Sequence, residues 1–178
     1  MITDWECLDL ARSGDGAAWR TLYERHYVPL VKMTSCITGS FDAAQDLVQE
    51  TFVRLLHCRL QHRSGNFHAF ITTIAYRLAL KENSRRRVRL RSRDYEVTDD
   101  TPSPLEKVIA DETDRLVIHA IASLPVEQRE VVALRFFSGH TYEEIADILE
   151  VPVGTVKSRI FYSIRNCQER LREKGILL

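Results

Sequence analysis

Apolar residues in this chain recur at three- and four-residue intervals along almost its whole length, and nowhere alternate with polar ones over the length of a strand. A period near 3.6 builds amphipathic helices, and without a period of two there is no sheet to build. The chain is therefore expected to be all-α. Breakers cut the pattern into segments. Ser13 and Gly14 form a turn ahead of "DGAAWRTLYERHYVPLVKMTSCI". Gly39 and Ser40 precede "DAAQDLVQETFVRLLHCRL", and "HRSGN" separates that run from "FHAFITTIAYRLALKENSRRR".

The clearest interruption is "TDDTPSP", Thr98 to Pro104, which offers two prolines, acid and nothing to bury. Helical patterning resumes in "PLEKVIADETDRLVIHAIASL" and "PVEQREVVALRFFSG", the latter opened by Pro125 and closed by Gly139. The expected organisation is two small helical domains, residues 1–93 and 114–178, joined by an acidic, Pro-containing linker at 94–113.

Charge matters through its distribution. The 25 Lys and Arg balance the 25 Asp and Glu, but "RRRVRLRSR" (Arg85 to Arg93) is densely basic and Asp94 to Asp114 is acidic. Such segregation suggests separate binding surfaces. The four cysteines form no C-x-x-C pair, and "HCRLQH" lacks the four ligands of a structural zinc site. No metal or cofactor is expected. Free thiols fit a reducing cytoplasm, and neither a signal peptide nor a bilayer-length apolar run is readable. With no Gly-rich phosphate loop and no nucleophile motif, the chain reads as neither an enzyme nor a binder of a small-molecule substrate.

The most informative stretch is "HTYEEIADILEVPVGTVKSRI", His140 to Ile160. Thr141 and Glu144 have capping-box spacing, so a helix should begin at Tyr142 with Ile145, Ala146 and Leu149 on its inner face. "EVPV" is a turn, with Pro152 expected at the first position of the next helix. There Val156, Ile160, Ile164, Cys167 and Leu171 form an apolar stripe. Thr155, Ser158, Tyr162 and Arg165 lie opposite it, flanked by Lys157 and Arg159. Short polar side chains and Arg can reach base edges, while the flanking cations can neutralise phosphates. This is a helix-turn-helix whose second helix is placed to read DNA.

Together these segments resemble the extracytoplasmic-function (ECF) group of the sigma-70 family. "LPVEQREVVALRFFSGHTYEEIADILEVPVGTVKSRIFYSIRNCQERL" is similar to its C-terminal DNA-binding domain. "GDGAAWRTLYERHY", "DAAQDLVQETFVRLL" and "FHAFITTIAYRLALKENSRRR" are similar, in order, to its N-terminal domain. The resemblance implies a subunit that binds core RNA polymerase, directs it to promoter DNA and helps melt the duplex. The C-terminal helix-turn-helix would read the minus-thirty-five element through Thr155, Lys157, Ser158, Arg159, Tyr162 and Arg165. The N-terminal domain would capture the minus-ten element. The competing class is a free-standing helix-turn-helix regulator, which should carry a dimer seam or ligand pocket in its first half.

On "DLVQETFVRLLH", Val48, Phe52, Leu55 and Leu56 form the expected core stripe, and Asp46, Glu50, Val53 and His57 lie opposite. The resemblance makes that second face the dock for core polymerase. The family's acidic run is thinned here, with Ala43 and Gln45 at two carboxylate positions. Thr51, read as a flanking position, is the expected phosphosite: a Ser/Thr protein kinase would restore the charge. An anti-sigma factor is the other expected regulator. For minus-ten DNA, Arg77, Lys81 and Arg85 recur every four residues, with Arg86 beside them. The family match adds Asn66, in the base-capturing loop from Ser64 to Phe67, and Phe70. Phe70, Arg77 and Lys81 stand where the family often has Trp, Asn and Asp.

Overall fold

The computed structural model describes residues 2–58, 66–91, 112–173 and 175. The expected linker at Thr98–Pro104 and the loop residues Ser64 and Gly65 lie outside the described residues. Within them the chain is helical and carries no strand. Four helices form the first half: α1 (Asp4–Arg12), α2 (Gly16–Thr38), α3 (Phe41–His57) and α4 (Phe67–Arg91). The second half contains α5 (Glu112–Ala122) and α6 (Val126–Val132). A π-helical turn over Ala133–Phe137 leads to α7 (Tyr142–Leu149) and α8 (Val153–Glu173).

The boundaries follow from local chemistry. Asp15 caps α2 by accepting from the Ala17 and Ala18 amides at 2.8 and 3.1 Å. Gly39 ends the helix at φ 70°, a left-handed conformation that glycine adopts without steric cost. Ser40 then caps α3. Thr141 and Glu144 form the expected capping box, with amide-to-side-chain contacts of 2.7 and 3.1 Å. The Thr141 amide and hydroxyl, both donating to the Glu144 carboxylate, hold it below its ordinary range.

The chain has a further helix, α1, opened by a capping box of the same kind at Thr3 and Glu6. Arg12, at its last turn, donates to the Leu55 and Cys58 carbonyls, both at 2.7 Å. Its cation thus satisfies the end of α3 and favours the negative pole there.

Central to the architecture is α2. It packs against α1, α3 and α4 and also against α5, α6 and the π-helical turn. The two expected domains therefore lie against each other, and the buried apolar residues of both form one connected core. Leu30, Val31, Met33, Cys36 and Ile37 of α2 are fully buried in it. Across the contact, the Ser138 hydroxyl lies 3.2 Å from the Met33 sulfur.

Candidate nucleic-acid and polymerase interfaces

The turn between α7 and α8 is built by Glu150 at φ 54°, whose amide closes α7 on Ala146 O. Pro152 sits just ahead of α8 rather than at its first position. Its carbonyl accepts from Thr155 N at 2.9 Å and Val156 N at 3.2 Å. A proline at that place lacks only an amide that has no intrahelical partner.

Val156, Ile160 and Leu171 are buried as expected, and Cys167 is half-buried. Ile164 is a correction, for it is 40% exposed, while Ser163 is fully buried. The Ser163 hydroxyl is 2.6 Å from Arg159 O and 3.2 Å from Gln128 O. Asn166 donates to the Gln128 side chain at 3.0 Å. These contacts seat α8 on α6 and rotate the inward face toward Ser163.

The outward face keeps the residues expected to read DNA. Lys157, Ser158, Tyr162 and Arg165 are exposed, while Thr155 and Arg159 are half-buried. Ser158 donates to Thr155 O, and Arg165 donates to Glu169 across one turn at 3.1 Å. Phe161, which sequence reasoning passed over, is 64% exposed and meets Tyr162 edge to face at 5.5 Å. Its signal was an aromatic residue lying off the apolar stripe. An exposed ring beside basic side chains can contact a thymine methyl.

In the first half, Asp46, Glu50, Val53 and His57 are all exposed along one face of α3, and Glu50 pairs with Arg54. Val48, Phe52 and Leu55 are buried and Leu56 half-buried. Thr51 does not lie on the flank. It is fully buried, and its hydroxyl donates to Leu47 O at 2.7 Å. Leu47 is itself buried, which turns the core face of α3 toward Thr51. A kinase would have to open α3 to reach that hydroxyl.

Along α4, Arg77, Lys81 and Arg85 are exposed and form the expected basic ridge. Arg86 is helical, and its side chain lies outside the description. Phe70 is half-buried against Trp5, with ring centroids 5.4 Å apart, so its ring is partly taken up by packing. Asn66 is exposed, but its carbonyl accepts from the His68 amide at 2.9 Å and caps α4. That leaves its NH2 group and one oxygen lone pair for a base. No described helix is long and apolar enough to cross a membrane.

Two family models match the chain: sigma-70 region 2 over residues 22–89 and sigma-70 region 4 over 114–167. The chain is 31% identical over 175 residues to the ECF RNA polymerase sigma factor SigL of Mycobacterium tuberculosis. That match covers 93% of this chain and 96% of the relative. It is 28% identical to the ECF RNA polymerase sigma-E factor of Escherichia coli, covering 90% of each. Two solved structures share its fold. Sigma factor RpoE of Bartonella quintana, co-crystallised with the anti-sigma factor NepR, has a TM-score of 0.65 at 22% identity, covering 86% of this chain and 96% of that one. CnrH, in complex with the cytosolic domain of CnrY, has a TM-score of 0.61 at 23% identity, covering 96% and 97%.

Proposed function

The chain belongs to the ECF RNA polymerase sigma factors, and on that premise we propose that it binds core RNA polymerase and directs it to a specific promoter. The observation carrying this reading is the pairing, in one chain, of two exposed basic surfaces with an acidic-apolar one. The α8 face suits the major groove of duplex DNA. The Arg77–Lys81–Arg85 ridge suits the backbone of a separated strand. The Asp46–Glu50–Val53–His57 face suits a basic partner helix. The chain does no covalent chemistry in this scheme; it positions the polymerase and traps melted DNA. Its place of work is the cytoplasm, with the polymerase.

An anti-sigma protein is the regulator this reading favours. RpoE and CnrH, which share the fold, were each solved with a bound partner. Gating by phosphate at Thr51 is not part of the proposal, because that hydroxyl is buried and bonded.

Co-elution of the purified chain with core polymerase at moderate salt is the first test, followed by run-off transcription. Replacing Asp46 and Glu50 together by Lys should weaken polymerase binding about tenfold or more, roughly 1.4 kcal/mol, with helicity unchanged. Binding insensitive to both changes would rule out the α3 face. Absence of co-elution would point to a free-standing helix-turn-helix regulator.

A further inference from the structure

Three histidines gather where the two halves meet. His26 on α2 is 3% exposed, His68 in the first turn of α4 is half-buried, and His140 follows the π-helical turn at 2% exposed. Two of them join a continuous relay. Asp4 Oδ2 lies 2.9 Å from His26 Nε2, His26 Nδ1 lies 3.3 Å from His68 Nδ1, and His68 Nε2 lies 3.3 Å from Phe137 O. The last contact crosses from the N-terminal to the C-terminal half.

Both ends of the relay are acceptors, a carboxylate and a carbonyl. Its three contacts need three protons between them, while two neutral imidazoles carry two. A neutral pair therefore leaves one contact unmade. If His68 donates to His26, its Nε2 faces Phe137 O without a proton. If His68 donates to Phe137 O, then either two Nδ1 lone pairs meet or Asp4 faces a bare Nε2. One added proton resolves this: His26 donates to Asp4, and His68 donates from both nitrogens. A second would set two N–H groups against each other at Nδ1.

We propose that this relay is a proton-operated latch between the two halves of the free chain, closed by uptake of one proton held at His68. The groups facing it are Asp4 of α1, Arg25 of α2, which pairs with Asp4, and His140 with its neighbours Arg135 and Glu144. Burial, together with the charges of His68 and Arg25, lowers the His26 pKa against the pull of Asp4, which disfavours a second proton on that ring. Burial likewise lowers His140. No described group of three His, Cys, Asp or Glu is arranged to hold a metal ion. The closed state binds one more proton than the open state, so closure strengthens as pH falls and fails as it rises.

The test uses the full chain alone, without polymerase or DNA, and so stands apart from the promoter reading. Small-angle scattering from about pH 8 to about pH 6, inside the range where histidine changes charge, should show the radius of gyration falling. Side-chain nitrogen NMR of the compact form should show two protonated nitrogens on His68 and Nε2–H on His26. His68→Gln should lose the compaction response while keeping its far-UV dichroism. His119→Gln, on an exposed face of α5, should retain it. A radius independent of pH, or a compact wild-type chain with a single N–H on His68, would overturn the latch. The second measurement needs no variant to fold.

Discussion

Thr51 carries the sharpest consequence at the scale of one residue. Its side chain is closed off from solvent, and its hydroxyl already has a partner in Leu47 O. A carboxylate placed there is buried without a counter-charge, and the effective penalty is several kcal/mol per ion. Thr51→Asp should therefore lower stability by at least about 3 kcal/mol. Thr51→Val, which keeps the shape and removes the hydroxyl, should stay within about 1 kcal/mol of wild type. Urea midpoints of the two proteins decide the matter. A Thr51→Asp protein as stable as wild type, with stronger polymerase binding, would restore the phosphosite. The thinning of acid at Ala43 and Gln45 was legible in the sequence, but the depth of Thr51 was not. Reading the stripe through Leu56 set its centre one position too far round, whereas Leu47 is buried and Leu56 only half-buried.

The same physics acts on whole elements. In α8 the apolar Ile164 was assigned inward, but it is exposed, and the polar Ser163, to which the sequence reading gave no face, is buried instead. Ser163 can be buried because its hydroxyl finds a backbone carbonyl within its own helix. Ile164→Gln should thus change stability by less than about 0.5 kcal/mol. Ser163→Leu should overpack the α6–α8 contact and cost about 1–3 kcal/mol. Thermal denaturation of both variants reads the difference directly. Arg165→Ala should leave the fold intact, weaken promoter binding and reduce the slope of log affinity against log salt by about one if the contact is to phosphate. An unchanged slope with relaxed sequence preference would instead assign Arg165 to a base edge. The capping box at Thr141 and Glu144 located α7 correctly from sequence. The identical T-x-x-E spacing at Thr3 was overlooked because that segment was read only for targeting signals. The π-helical turn at Ala133–Phe137 left no sequence mark, since one extra residue per turn barely perturbs the apolar period.

At the scale of the molecule, the order of the described helices after α1 was readable from periodicity, but the packing of one half on the other was not. A buried stripe declares that something covers it without saying which element does. The burial of Met33, Thr34, Ser35, Cys36, Ile37 and Thr38 in succession shows α2 covered on several sides, and α5, α6 and the π-helical turn are among the elements against it. Acid should test that shared packing. His140 is buried with Nδ1 unpartnered, and burial lowers its pKa despite the opposing pull of Glu144 and Leu134 O. The unfolded chain, with an ordinary pKa near 6.5, therefore binds the proton more readily than the folded one. Stability from this residue is complete above about pH 6.5 and is lost as pH falls through the depressed folded value. His26 behaves in the same sense. The latch gains from one proton, so stability against urea should pass through a maximum on the mildly acidic side of neutrality and decline below it. His140→Gln should flatten the acid limb and leave the limb above the maximum in place. His68→Gln should flatten the upper limb. A profile in which both variants act on the same limb would mean that the histidines titrate as one cluster, and the separate roles assigned to them would fall.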